Sequence, residues 1–150
     1  MRKIISLILA AMVVFTGCGA KEQTVIAKIN GQEIGLSEFM VHVYGTKSSY
    51  ESMGGADIWD TEYEGRSARE IAMESAVDSL KIVKLANAKA AELGVALSDE
   101  EKEAAENEAM SVYQSWGKEE RKTVSLDTLA NVLIEKKIMG LVYDKVTEGY

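Results

Sequence analysis

Residues 67–94 read SAREIAMESAVDSLKIVKLANAKAAELG, and this stretch decides the fold. Ser67 and Glu70 form a capping box, in which the serine hydroxyl accepts from the amide three residues on and the glutamate reaches back to the cap. Gly94 stands where a glycine closes a helix in the left-handed conformation. Between them, Met73, Ala76, Leu80, Val83, Asn87, Ala90 and Leu93 recur at helical spacing and give the expected inner stripe. A helix of this length spans about 40 Å at about 1.5 Å per residue, more than the roughly 36 Å diameter of a compact domain of this size. One helix therefore crosses the whole body, and an elongated shape is expected.

Working outward, Ser98 and Glu101 repeat the capping box and open a helix whose buried side carries Ala105, Ala109, Val112 and Trp116 as far as Gly117. A last helix starts near Ser125 and runs through Leu129, Leu133, Ile138 and Val142 to about Val146. Upstream, Ser37-Glu38 opens a first helix, with Phe39, Met40, Val43 and Tyr44 as its apolar stripe and Gly45 weakening its middle. Residues 53–66 hold three glycines and no helical period, which reads as a loop containing aromatics. Val25–Ile29, Asn30-Gly31 and Gln32–Ile34 form a β-hairpin signal, because Asn-Gly suits a turn that needs two positive φ angles. The expected fold is mainly α, a small N-terminal β-hairpin followed by about four helices, one of them long. The complete absence of proline among 150 residues agrees with uninterrupted helices.

Composition excludes several function classes. With one His and one Cys, the chain has no set of ligands for a structural zinc site and no internal disulfide. A net charge of -7 leaves no basic stripe for a nucleic-acid backbone. Met1-Arg2-Lys3 followed by an apolar run to Phe15 is too short to span a bilayer and reads as a signal peptide over residues 1–17. Phe15-Thr16-Gly17-Cys18 resembles the lipobox of bacterial lipoproteins, so Cys18 is the expected lipid attachment site. Residues 18–24 then form a lipidated tether, and residues 25–150 an acidic domain held outside the cytoplasm at the membrane.

Candidate chemistry is sparse. Asp99, Glu100, Glu101, Glu103, Glu106 and Glu108 begin a helix, where acids stabilise the positive end of the dipole, and read as a solvated face. The loop acids Asp57, Asp60, Glu62 and Glu64 lack the calcium-loop spacing. His42 reads as a partly exposed helical residue, with no nucleophile pattern to make it catalytic. No catalytic residue, metal ligand or cofactor is expected. Tyr44, Tyr50, Met53, Trp59 and Tyr63 cluster in or before the loop and suit adaptable apolar recognition. They equally suit packing of the loop onto the helices, the preferred reading for Trp59.

Val25-Ile-Ala-Lys-Ile-Asn-Gly-Gln-Glu-Ile34, followed at once by Ser37-Glu38-Phe39, resembles the opening of the SurA/PrsA-type extracytoplasmic foldases. Ala76-Val-Asp-Ser-Leu80, Ala91-Glu-Leu-Gly-Val95, Leu97-Ser-Asp-Glu-Glu101 and Leu133-Ile-Glu-Lys136 are similar to later helices of that N-terminal domain. The resemblance implies a chaperone that binds unfolded or nascent secreted polypeptides, with the aromatic cluster as its polypeptide-binding residues. Longer members carry a parvulin-type peptidyl-prolyl isomerase domain, for which no matching residues exist here. Two alternatives stand beside this reading: an N-terminal fragment of such an isomerase, and a structural or solute-binding lipoprotein.

Overall fold

The structure, a computed structural model, describes residues 24–148. The signal peptide, Cys18 and all of the tether but Thr24 lie outside the described residues. Strands β1 (Val25–Ile29) and β2 (Gln32–Gly35) are followed by α1 (Leu36–Gly54), a 3₁₀ turn (Ala56–Asp60), and strands β3 (Glu62–Tyr63) and β4 (Arg66–Ser67). Helices α2 (Ala68–Leu93), α3 (Asp99–Ser115), α4 (Lys118–Thr123) and α5 (Leu126–Thr147) complete the chain.

The signals of the hairpin, α2 and α3 form as physical contacts, whereas α1 starts at Leu36 after Gly35 with no side-chain cap and buries Ser37, Val41 and His42 in place of the expected stripe. Asn30 and Gly31 both have positive φ, 49° and 81°, and β1 and β2 pair antiparallel with Ala27 opposite Ile34. Ile34 is fully buried and pins the hairpin to the helices. Ser67 and Ser98 each accept from the amide three residues on while Glu70 and Glu101 return the bond, giving two complete capping boxes. Gly94 is left-handed and ends α2, with Val95 N–H donating to the Ala90 carbonyl at 2.9 Å.

Helix α5 is the centre of the packing. It lies against α2 on one side and α3 on the other, while α1 packs on α2 and reaches α5. Val41, Ala109, Val124, Leu129 and Val132 form the buried core, flanked by Tyr44, Val112, Tyr113, Trp116 and Leu133. On α2 the buried positions are Ala68, Ala72, Ala76, Leu80, Val83, Lys84 and Ala90. This corrects the expected stripe at one end: Met73 is 48% exposed. Stepping back by four from Ala76 lands on Ala72 and Ala68, and small side chains suit the close approach of a neighbouring helix better than methionine.

Two further readings change. Residues 53–66 are a folded excursion: the 3₁₀ turn packs back on α1, and β3 and β4 make a second small hairpin. Its turn residues Glu64 and Gly65 have φ of 51° and 78°, the same backbone as Asn30-Gly31 with a less typical first residue. Gly54 permits the fold-back, since a Cβ there would lie 2.9 Å from the Ile58 side chain. A fifth, six-residue helix, α4, bridges α3 and α5.

His42, expected to be partly exposed, is sealed in the core at 1% exposure. Its Nδ1 shares a 3.0 Å hydrogen bond with Ser79 Oγ, tying α1 to α2, and its Nε2 is buried without a partner. Burial, then the charges of Lys136 and Lys84, push its pKa down to about 4. The imidazole is thus neutral at pH 7 and serves packing.

Lys84 is a buried polar group on α2. Its Nζ lies 2.5 Å from Glu38 Oε1 of α1 and 2.7 and 2.9 Å from the two carboxylate oxygens of Glu135 on α5. Burial alone would lower its pKa, but the hydrogen bonds and charges of Glu135 and Glu38 outweigh it and hold the ammonium above its ordinary range. Asn87, one turn on, donates to the Val83 and Glu135 carbonyls, both at 2.8 Å.

Two outcomes follow. Lys84→Ala strands two carboxylates among three helices and lowers unfolding stability by about 2–3 kcal/mol, the low side of a broken buried pair because Glu135 keeps 27% side-chain exposure. Urea midpoints read this, and Lys84→Met combined with Glu38→Gln and Glu135→Gln regains most of the loss. Separately, the folded pKa of His42 lies below the unfolded value of 6.5, so the unfolded chain binds the extra proton between them. Stability therefore falls as pH drops from about 6.5 towards 4, by about 2–3 kcal/mol in this window. In His42→Gln that part of the acid slope disappears, measured as the difference between urea midpoints at pH 7.5 and 4.5.

Candidate functional site

Two concave surfaces flank the C-terminal half of α1, and the aromatic residues divide between them. Tyr50 and Trp59 belong to the first. Gly55 ends α1, the 3₁₀ turn reverses the chain, and Trp59 comes back onto Tyr50 with the rings stacked at 5.9 Å and 9°. Trp59 Nε1 donates to Glu51 Oε1 at 2.9 Å, and the Arg69 guanidinium, from the first turn of α2, lies 5.8 Å from the centre of the indole. Ser75 Oγ gives its proton to the Ile71 carbonyl, so the 3.3 Å contact between Tyr50 and Ser75 is donated by the tyrosine. These bonds fix the indole edge, and Trp59 lines a pocket of about 360 Å³ with Val43, Lys47, Glu51, Arg69 and Met73.

Tyr44 belongs to the second surface, on the side of α1 that meets α3 and α5. Its ring meets Trp116 edge-on at 5.4 Å, and Tyr113 stands 6.0 Å from the same indole. Tyr44 and Trp116, together with Leu133, Ser48 and Lys136, line a cleft of about 500 Å³. Lys47 and Glu51 line both surfaces and pair with each other at 3.0 Å, forming the rim between them. The hydrogen bond from Trp59, followed by that from Lys47, holds the Glu51 carboxyl below its ordinary range. Glu51 is therefore ionised at neutral pH.

Of the five aromatic and methionine residues singled out in the sequence, three line or border these surfaces. Met53 and Tyr63 are 72% and 70% exposed and line neither. Trp59 is half-buried and packs the excursion onto α1, as preferred, while also lining the first pocket. The sequence reading missed Met73, Arg69, Trp116 and Lys136 as members of the clefts. Helical spacing alone puts Met73 and Trp116 on the buried sides of their helices, and only their angular position against the true core places them at its edge.

Among the described residues no group of three His, Cys, Asp or Glu side chains could hold a metal ion. The acids of α3 are exposed, with Glu101 spent on its capping box and Asp99 paired with Lys102 at 3.2 Å. His42 reaches no surface. What the site offers is apolar and aromatic area bordered by a few fixed charges, suited to reversible capture of apolar chain segments.

No described helix is long and apolar enough to cross a membrane. The Foldase protein PrsA of Caldanaerobacter subterraneus subsp. tengcongensis is 28% identical over 165 aligned positions, which cover all of this chain and 54% of the relative. The chain thus spans about half the length of that protein. No solved structure matches it. The family described as the SurA-like N-terminal domain matches residues 1–125, and with the hairpin, the long capped α2 and the order of the helices in agreement, the chain belongs to that family.

Proposed function

We propose that this chain is a non-catalytic holding domain for unfolded secreted polypeptides, tethered to the outer face of the cell membrane through a lipidated Cys18. The observation that carries the holding role is the pair of aromatic clefts on either side of α1, joined at the Lys47–Glu51 rim. Apolar segments of a client lie in them with little demand on sequence, because stacked and edge-on rings offer large area and few fixed hydrogen-bond requirements. The acidic excess of the domain keeps it soluble around that apolar surface. The membership in the SurA-like family and the relative named a foldase support the same reading. The basic start, the short apolar run and Gly17-Cys18 support the tether, two or more acyl chains being enough for stable anchoring.

Light scattering from an aggregating, chemically unfolded client tests the holding role. A stoichiometric excess of the chain suppresses aggregation, and no suppression at that excess sinks the proposal. Trp59→Ala removes one wall of the first pocket and weakens capture of a labelled unfolded client about threefold to tenfold. Its own stability falls by no more than about 1–2 kcal/mol, since the excursion is largely exposed. For the tether, Cys18→Ser yields a precursor that is neither lipid-labelled nor shortened when cells are fractionated. A wild-type chain that itself persists at unprocessed length and takes up no lipid label rules the anchor out.

A further inference from the structure

Gly45 occupies the middle of α1, where glycine costs about 1 kcal/mol relative to alanine and no positive φ calls for it. The structure gives it a neighbour: a Cβ built there would lie 3.7 Å from Lys136 Nζ of α5. Lys136 therefore passes close to α1 at this point, at a distance an alanine would also permit, and lines the larger cleft together with Tyr44 and Trp116. Among the described residues Lys136 has no carboxylate within ion-pair distance, whereas Lys47, the other lysine of that cleft, is paired with Glu51. Glu108 is the acid whose charge acts on Lys136, but it is paired with Lys137 at 2.9 Å, and Glu120 on the far rim is turned onto Gly117. Burial holds the Lys136 ammonium below its ordinary range, and Glu108 offsets this only in part. A half-buried cation without an anion is an incomplete electrostatic arrangement, which an incoming carboxylate completes through charge-assisted hydrogen bonds.

The rim adds a direction. Because Lys47 and Glu51 border both clefts, a chain lying beside Lys136 continues over them to the Trp59 pocket, which favours a segment running through over a chain end. We propose that the clefts select extended client segments in which a single internal Asp or Glu, flanked by bulky apolar residues, sets its carboxylate on Lys136. The apolar neighbours then lie on Tyr44 and Trp116 and in the Trp59 pocket. This rests on the polypeptide-holding reading above. Runs of acids are disfavoured, since the chain as a whole carries -7 and repels them.

Fluorescence anisotropy with the purified chain and three labelled apolar decapeptides tests it. The first has blocked ends and one central Glu, the second replaces that Glu by Gln, and the third keeps Gln but has a free C-terminal carboxylate. The Glu peptide binds roughly tenfold more tightly than its blocked Gln twin, the size expected for one charge-assisted hydrogen bond at a partly buried site. Lys136→Met abolishes this preference and Lys136→Arg retains it. In the wild-type chain, which needs no variant to fold, the preference shrinks as salt rises. Equal binding of the two blocked peptides, or a preference that survives Lys136→Met, overturns the inference. A gain confined to the free-acid peptide overturns it too, by assigning Lys136 to chain ends. Suppression of client aggregation, measured in parallel, separates the two levels: intact suppression without a Glu preference removes only the inference, and lost suppression removes the holding role beneath it.

Discussion

Lys84 is the point through which the three largest helices are held to one another. It stands on α2, and its ammonium is shared between Glu38 of α1 and Glu135 of α5, with 9% of its side chain exposed. The desolvation of such a cluster is large, and an apolar replacement of similar shape would give comparable stability. Specificity of register is what an apolar replacement would not give. The surface α2 turns towards its neighbours begins Ala68, Ala72, Ala76, a row of side chains too small to interlock and nearly uniform along the axis. A helix pair with such a row tolerates sliding, whereas a lysine between two carboxylates is satisfied at one axial position only. Asn87, bonded one turn further on to the Glu135 carbonyl, repeats the constraint on the α2–α5 pair, and Ser79–His42 repeats it on α1–α2.

With its N-terminal half fixed by Glu38 and His42, α1 becomes a rigid wall in its second half, and both candidate clefts are built on that wall. The arrangement separates tasks along one helix. Ser37, Val41 and His42 are buried and structural, whereas Tyr44, Lys47, Tyr50 and Glu51 are half-buried or exposed and border the clefts. The 3₁₀ excursion adds Trp59 to one side, and α3 with α5 adds Trp116 and Lys136 to the other. The aromatic surface is therefore held by parts of the fold that do not themselves need to move for an apolar segment to enter.

Much of this was legible from local chemistry, and the parts that were not share a cause. Asn30-Gly31, the two capping boxes and Gly94 specify their structures within four residues, through hydrogen bonds and dihedral preferences that depend on little else. Lys84 and His42 could not be read in that way, because burial of a polar group is decided by partners distant in sequence: Glu135 lies 51 positions from Lys84 and Ser79 lies 37 from His42. The error at Met73 is of the same kind. Helical spacing admits both a stripe through Met73 and one through Ala72, and only the closeness of the facing helix chooses the smaller residue. At residues 53–66 the absence of a helical period concealed a hairpin whose turn, Glu64-Gly65, departs from the usual asparagine or aspartate. At the site, Tyr44, Tyr50 and Trp59 announce themselves by residue type, but their division between two clefts depends on which face of α1 each occupies.

Charge links the scaffold to the surface it supports. An acidic domain that exposes aromatic clefts keeps its copies apart by repulsion while leaving that apolar area open. That balance requires the cleft borders to be electrically quiet, and Lys47–Glu51 and Arg69 over Trp59 are quiet, each cation being matched by a carboxylate or a ring face. Lys136 departs from this pattern: it passes beside Gly45 of α1 with no carboxylate within ion-pair distance among the described residues. The helix gives up propensity at that position and the lysine gives up hydration. No ion pair among the described residues offsets the lysine's loss, so an anion entering the cleft would complete its electrostatic surroundings.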